Sequence, residues 1–210
     1  MRTSRQGERL FFVVILIFMY AFPMDAGAVN PFGCDLFAAS VISDTSFITC
    51  GSQGKIFLSK DNGKSFHSVE SPAKNALAAI SFPDASHGWI VGQGGVVLNS
   101  SDGGHTWKVQ RSSVNTYLMA VDFKDRFNGC AVGADSSVIV TTDGGENWQP
   151  SPFTLTRGTG GEFNLFTVKI IDPQILIITG DMGRIFRSED FGGTWAEAAT
   201  ANDNAEDSKS

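Results

Sequence analysis

The 210-residue chain is poor in the residues on which most chemistry depends: it has three histidines, three cysteines and two tyrosines. His67, His87 and His105 are scattered, without the short spacing that brings two imidazoles to one metal, and read as exposed turn residues. Asp61-Asn62-Gly63 and Asp102-Gly103-Gly104 lack the downstream bidentate glutamate of a calcium loop. No Gly-x-Ser-x-Gly elbow or phosphate loop occurs. Gly92-Gln93-Gly94-Gly95 reads as a hairpin turn, since no helical stretch follows it. The residues therefore assign no catalytic group, no metal ligand and no cofactor site, and the chain is expected not to be an enzyme.

Long apolar runs are also missing. The longest, Leu10 to Phe22, has thirteen residues, too few to cross a bilayer comfortably. It follows Arg2, Arg5 and Arg9 and precedes Ala26-Gly27-Ala28. Charged start, short apolar stretch and small-residue site read as a signal peptide over residues 1–28, with an uncleaved membrane anchor as the alternative. The expected location is outside the cytoplasm: periplasm, thylakoid lumen or secreted, with membrane association left open. Positive charge is scarce as well. Sixteen Lys and Arg face 22 Asp and Glu, a net charge of −6. That speaks against nucleic acid as a partner, which rests on basic patches. In an oxidising compartment Cys34 and Cys50 are the favoured pair, and Cys130 reads as a small buried apolar residue.

What is present in abundance is a repeat. Ser100-Ser101-Asp102-Gly103-Gly104-His105-Thr106-Trp107 has three counterparts, beginning at Ser59, Thr141 and Ser188. The shared pattern is Ser/Thr-x-Asp-x-Gly-x-(Ser/Thr/Asn)-aromatic. It is carried by Asp61, Gly63 and Phe66; Asp102, Gly104 and Trp107; Asp143, Gly145 and Trp148; and Asp190, Gly192 and Trp195. The four aspartates lie 41, 41 and 47 residues apart. Ten residues before each stands a glycine, twenty-five before a leucine, and twenty before an apolar residue (Val41, Phe82, Phe123, Ile170). A fixed period near 40 is the mark of repeat architecture. The excess of the last interval falls between Trp148 and Leu165, so length varies in a connection, as loops allow.

Each unit reads as four short strands broken by Gly, Asp and Asn. In the second unit these are residues 77–82, 88–92, 96–100 and 106–110. Four strands per repeat form one blade of a β-propeller. The fold class is therefore all-β, a propeller of four blades spanning 29–199 (about 36–70, 77–111, 118–150 and 165–198). A polar acidic tail, 200–210, is read as disordered. Closure of four blades, an open arc completed by self-association, and a shortened version of a larger ring all fit the sequence.

These residues resemble the Asp-box, or BNR, repeats of sialidases and related propellers. The longer pattern, Leu-x-x-(Ile/Val)-x-Phe, then Gly-x-x-(Val/Ala)-Gly, then the Asp-box, is similar to the photosystem II stability/assembly factor family. Its best copies here are Leu77–Trp107 and Leu118–Trp148. The resemblance implies an exported or lumenal scaffold that helps assemble or stabilise a membrane-protein complex, photosystem II in a photosynthetic host, with a protein client. Family members usually carry more blades. The alternative it raises is a sialidase-like glycan-active enzyme or a glycan-binding module. Against that, Tyr117 is the only tyrosine beyond residue 28, and the Phe-Arg-Ile-Pro start of sialidases is absent. On the face opposite the Asp-box turns the sequence places Gln53, Gln93, Asp135, Asp181 and Lys74. Arg111, Tyr117, Phe153 and Arg157 are expected there as a partner-binding surface, the last two on the long connection 151–161; the plain reading of that stretch is a connector.

Overall fold

The computed structural model describes residues 30–153 and 163–198. The expected signal peptide, the acidic tail and Arg157 lie outside the described residues. No described helix is long and apolar enough to cross a membrane.

Among the described residues sixteen strands form four sheets. The first blade holds β1 (Leu36–Val41), β2 (Phe47–Gly51), β3 (Ile56–Ser59) and β4 (His67–Val69). The second holds β5 (Leu77–Ser81), β6 (Gly88–Gly92), β7 (Val97–Ser100) and β8 (Lys108–Gln110). The third holds β9 (Leu118–Phe123), β10 (Gly129–Gly133), β11 (Val138–Thr141) and β12 (Gln149–Pro150). The fourth holds β13 (Leu165–Ile170), β14 (Leu176–Gly180), β15 (Ile185–Ser188) and β16 (Ala196–Glu197). Every blade is an antiparallel meander in chain order, and no strand is exchanged between blades. The outer strands are shorter than the sequence suggests. In the second blade, Thr106 gives its N–H to the Asp102 carboxylate, so pairing with β7 begins only at Lys108.

A bulge sits near the start of each first strand. Leu77 pairs with Gly92 and Ala79 with Val91, which leaves Ala78 as the extra residue. The same shift occurs after Leu36, Leu118 and Leu165. An extra residue reverses the alternation of sides, so Leu77 packs on the same face as Ile80 and Phe82 despite odd spacing. The glycine ten residues before each Asp follows from the same place. A Cβ on Gly92 would stand 2.1 Å from the Ala76 carbonyl oxygen, which accepts a hydrogen bond from the Gln93 N–H at 2.9 Å.

The core lies between blades. One cluster joins Ile48, Cys50 and Ile56 of the first blade to Leu77, Ile90 and Trp107 of the second. A second joins Trp89, Val91 and Val97 to Leu118, Phe123 and Trp148. The third joins Cys130, Val132 and Val138 to Leu165, Ile178 and Trp195. Across the second, the Trp89 and Phe123 rings stack with centroids 3.6 Å apart. Inner strands pack in the order β1, β5, β9, β13, but β13 does not pack back on β1 as consecutive inner strands do. The described blades form an open arc.

Among the described residues no disulfide forms, which corrects the expected Cys34–Cys50 pair. Cys50 is committed to the first interblade core, where its Sγ–H donates to the Leu77 carbonyl at 3.4 Å and burial pushes its thiol pKa up.

Removing the indole in Trp107→Ala should cost about 3–5 kcal/mol. Val109→Ala, two residues along on an exposed position, should change stability by less than about 0.5 kcal/mol. Urea midpoints measured at an unchanged m-value check this; equal losses would remove Trp107 from the core.

Candidate interaction face

The two ends of the blades are built differently. At one end lie the Asp-box turns, where one hydrogen-bond network is made four times. In the second blade the Ser100 hydroxyl donates to Asp102 Oδ1 at 2.8 Å and accepts from the Gly104 N–H at 2.9 Å. Thr106 gives its N–H to Oδ1 and its hydroxyl to Oδ2, at 2.9 and 2.6 Å. Ser59, Asp61, Gly63 and Ser65 repeat the arrangement. So do Thr141, Asp143, Gly145 and Asn147, with the Asn147 amide replacing a hydroxyl, and Ser188, Asp190, Gly192 and Thr194. Gly104 has φ +83, and a Cβ there would meet Ile48 Cδ1 at 2.7 Å. Phe191, which precedes Gly192, takes φ +54 where the other turns have Asn or Gly. Trp107, Trp148 and Trp195 leave the turns into the interblade cores. Phe66 is half-buried beneath Phe32, ring centroids 5.7 Å apart.

These carboxylates are occupied by structure. Desolvation raises the Asp102 pKa, but the Thr106 hydroxyl and N–H, Ser100 and the His105 N–H outweigh it and bring it to about 2. For Asp61 the Ser65 hydroxyl is the largest cause, followed by the Ser65 N–H and Ser59, and the pKa again falls well below the ordinary range. Acids held this low do not serve as proton donors near neutral pH.

At the other end the connections between blades meet the turns between second and third strands. The Ala134 N–H donates to the Tyr117 carbonyl at 2.8 Å, the Gln93 N–H to Ala76 at 2.9 Å, and the Asp181 N–H to Asn164 at 3.0 Å. Each connection is thus tied to the turn of the blade it enters. The 111–117 connection is fixed further: Ser112 donates to the Val114 carbonyl at 3.1 Å, and the Thr116 and Ser137 hydroxyls lie 2.6 Å apart. Arg111 is exposed on it, and Tyr117 is half-buried, desolvation pushing its phenol pKa up.

Of the four residues expected on a partner surface, Arg111 and Tyr117 share this connection. Phe153 does not join them. Its ring lies edge-on to Phe186 and Trp195, centroids 4.9 and 5.6 Å away, as part of the packing onto the fourth blade. Gln53, Gln93, Asp135 and Lys74 are exposed, whereas Asp181 is held by the Asn164 N–H and amide at 2.8 and 3.0 Å. Met182 was not singled out from the sequence and is 87 % exposed. Its signal was positional: it fills the slot that Gln53 and Asp135 occupy with polar side chains.

No three His, Cys, Asp or Glu side chains of the described residues gather as metal ligands would. His67 and His105 are exposed, and half-buried His87 faces Asp84 at 3.0 Å. Three described arginines are engaged separately. Arg126 lies over Phe127, Arg184 over Phe163 and against Glu197, and Arg187 against Glu189.

Comparison with known proteins places this geometry. The family described as photosynthesis system II assembly factor YCF48 matches residues 65–202. No curated protein matches the chain. Among solved structures it is similar to one described as YCF48 bound to D1 peptide, with 14% identity, a TM-score of 0.52, and coverage of 80% of this chain and 83% of that one. An ancestral GH74 enzyme gives 14% identity and a TM-score of 0.67, covering 82% of this chain and 25% of that one. The GH74 enzyme of Niastella koreensis gives 12% and 0.64, covering 81% and 30%. The chain thus spans only about a quarter to a third of the GH74 enzymes. At these identities the likeness is one of fold.

Replacing Asp102 by Ala should cost about 0.5–2 kcal/mol, the scale of a lost capping bond. Because the folded pKa lies below the unfolded value of about 3.9, the charge contribution is complete above that value and is lost as pH falls through about 2. The gap in melting temperature between wild type and Asp102→Ala should therefore narrow from neutral pH to pH about 2. A constant gap would show that the carboxylate charge does not hold the turn.

Proposed function

Since the chain belongs to the photosynthesis system II assembly factor YCF48 family, we propose that it acts as a non-enzymatic, exported scaffold that holds a segment of a photosystem II subunit during assembly or stabilisation. The observation that carries the reading is the family match from residue 65 to 202, which covers the end of the first blade and the three blades after it. A solved propeller of like fold is described as YCF48 bound to D1 peptide, which supports a protein client of that class for this chain. The end of the blades opposite the Asp-box turns is the proposed capture surface. Its connections are hydrogen-bonded to the turns beneath them, so Arg111 and Tyr117 stand on a backbone fixed before the client arrives. A preorganised surface loses less on binding than one that must be ordered. Arg157 belongs to the same proposed surface, on the long connection into the fourth blade. Phe153 is better assigned to anchoring that connection.

The glycan-active alternative has the fold likeness to GH74 enzymes behind it and little else. Such a site needs arginines and carboxylates converging on one pocket, whereas Arg126, Arg184 and Arg187 each have a local partner. Export rests on residues 1–28 and on the family.

Tagged protein incubated with detergent-solubilised native membranes should recover photosystem II reaction-centre subunits, identified by mass spectrometry. Reversing Arg111 and Arg157 together to Glu should lower recovery about tenfold, equivalent to about 1.4 kcal/mol, with an unchanged melting temperature. Undiminished recovery by the double variant would remove this face from the account.

A further inference from the structure

The described blades make one kind of interface three times and carry both halves of a fourth. In every interblade core the later blade offers the leucine at the start of its first strand and the apolar residue at that strand's end. These are Leu77 and Phe82, Leu118 and Phe123, and Leu165 and Ile170. The earlier blade offers side chains from its second and third strands: Ile48 and Ile56, Trp89 and Val97, Cys130 and Val138. In the first blade the receiving positions are Leu36 and Val41, 38 % and 60 % exposed, where Leu118 and Phe123 are 0 % and 5 %. In the fourth blade the offering positions are Ile177 and Ile185. Ile177 is half-buried and Ile185 is 44 % exposed, where Ile56 and Val97 are fully buried. Among the described interblade positions, apolar side chains are thus left exposed on the outer faces of the first and fourth blades.

The geometry points to a second copy of this chain as the occupant: the fourth blade of each copy packs on the first blade of the other. The argument for this partner is complementarity already realised within the chain. The missing half of each free end is the surface found at the opposite end of the same molecule. Phe32 shields Phe57 and Phe66 on the first blade, centroids 4.9 and 5.7 Å away, so what is left to cover is the Leu36–Val41 side. At the other end Arg187 stands in the slot where Leu58 packs in the first interblade core, and its charge is matched by Glu189. The new contact is apolar at Leu36, Val41, Ile177 and Ile185 and carries the Arg187–Glu189 pair beside them.

The contact is heterologous, end to opposite end, so it either closes a ring or runs on as an open chain. Two copies of the four described blades give eight, within the range of about 4–8 common in propellers, whereas three copies would need about twelve. A two-copy, eight-bladed ring follows. It does not depend on the identity of the client, so its failure would leave the scaffold reading standing.

Sedimentation velocity of the exported chain should give twice the mass of one chain over a wide concentration range. Val41→Asp and Ile185→Asp, each at an exposed position, should give monomers with an unchanged circular dichroism spectrum. A second measurement fixes the pairing. The stacked Trp89–Phe123 pair has Ile177 and Val41 as its counterpart across the new contact. Mixed Val41→Cys and Ile177→Cys chains should form a covalent dimer under mild oxidation, and neither variant should do so alone. A monomeric wild type, a dimer indifferent to both Asp substitutions, a larger assembly, or self-bridging of Val41→Cys would overturn the inference.

Discussion

A four-stranded sheet with strands of two to six residues hides neither of its faces, and here each blade depends on its neighbour for a dry interior. That dependence organises the rest. The leucine that opens a blade, the apolar residue at the end of its first strand and the tryptophan after its Asp-box all meet the second and third strands of the preceding blade. Stability in such an array is a sum of unit terms and nearest-neighbour terms. It follows that the chain repeats its residues where they face a neighbour or close an Asp-box turn, and varies them in the connections at the opposite end.

The Asp-box turns serve that packing by fixing the entry of the fourth strand. One carboxylate takes donors from the residue four positions on, one hydroxyl closes the loop behind it, and the aromatic that follows is delivered to the interblade core. The cost is that these acids are committed, with depressed pKa values and few lone pairs to spare. The end of the molecule with the most uniform sequence is therefore the one with the least chemistry to offer. The opposite end, where connections differ in length and residue type, keeps Arg111, Tyr117 and Met182 available above a fixed backbone. Function on a repeat scaffold is expected where the repeat is least regular.

Much of the fold was legible because the repeat reports the same packing problem four times. Period, strand number and the phase of the turns can all be read from the positions of Asp, Gly, Leu and the aromatic. The bulge at each first strand was not legible. It moves the leading leucine to the other side of the sheet, and alternation alone cannot show an extra residue. Cys50 read as half of a disulfide because spacing and compartment favoured one, but its position in the second strand commits it to the interblade core. Phe153 read as an anchor for a partner because it lies in a long connection. Its ring instead completes the packing around Trp195, a contact that no local pattern announces. Met182 went unremarked because a single apolar residue in a polar slot is visible only once exposure is known.

The central claim is that side chains of adjacent blades hold one another in place across the sheet faces. A double-mutant cycle on Trp89 and Phe123, stacked 3.6 Å apart between the second and third blades, tests it most directly. Alanine at each position and at both, followed by urea unfolding, should give a coupling energy of about 0.5–1.5 kcal/mol. Strictly additive losses would mean that the two blades do not stabilise each other through this face, and the account of the fold would fail with them.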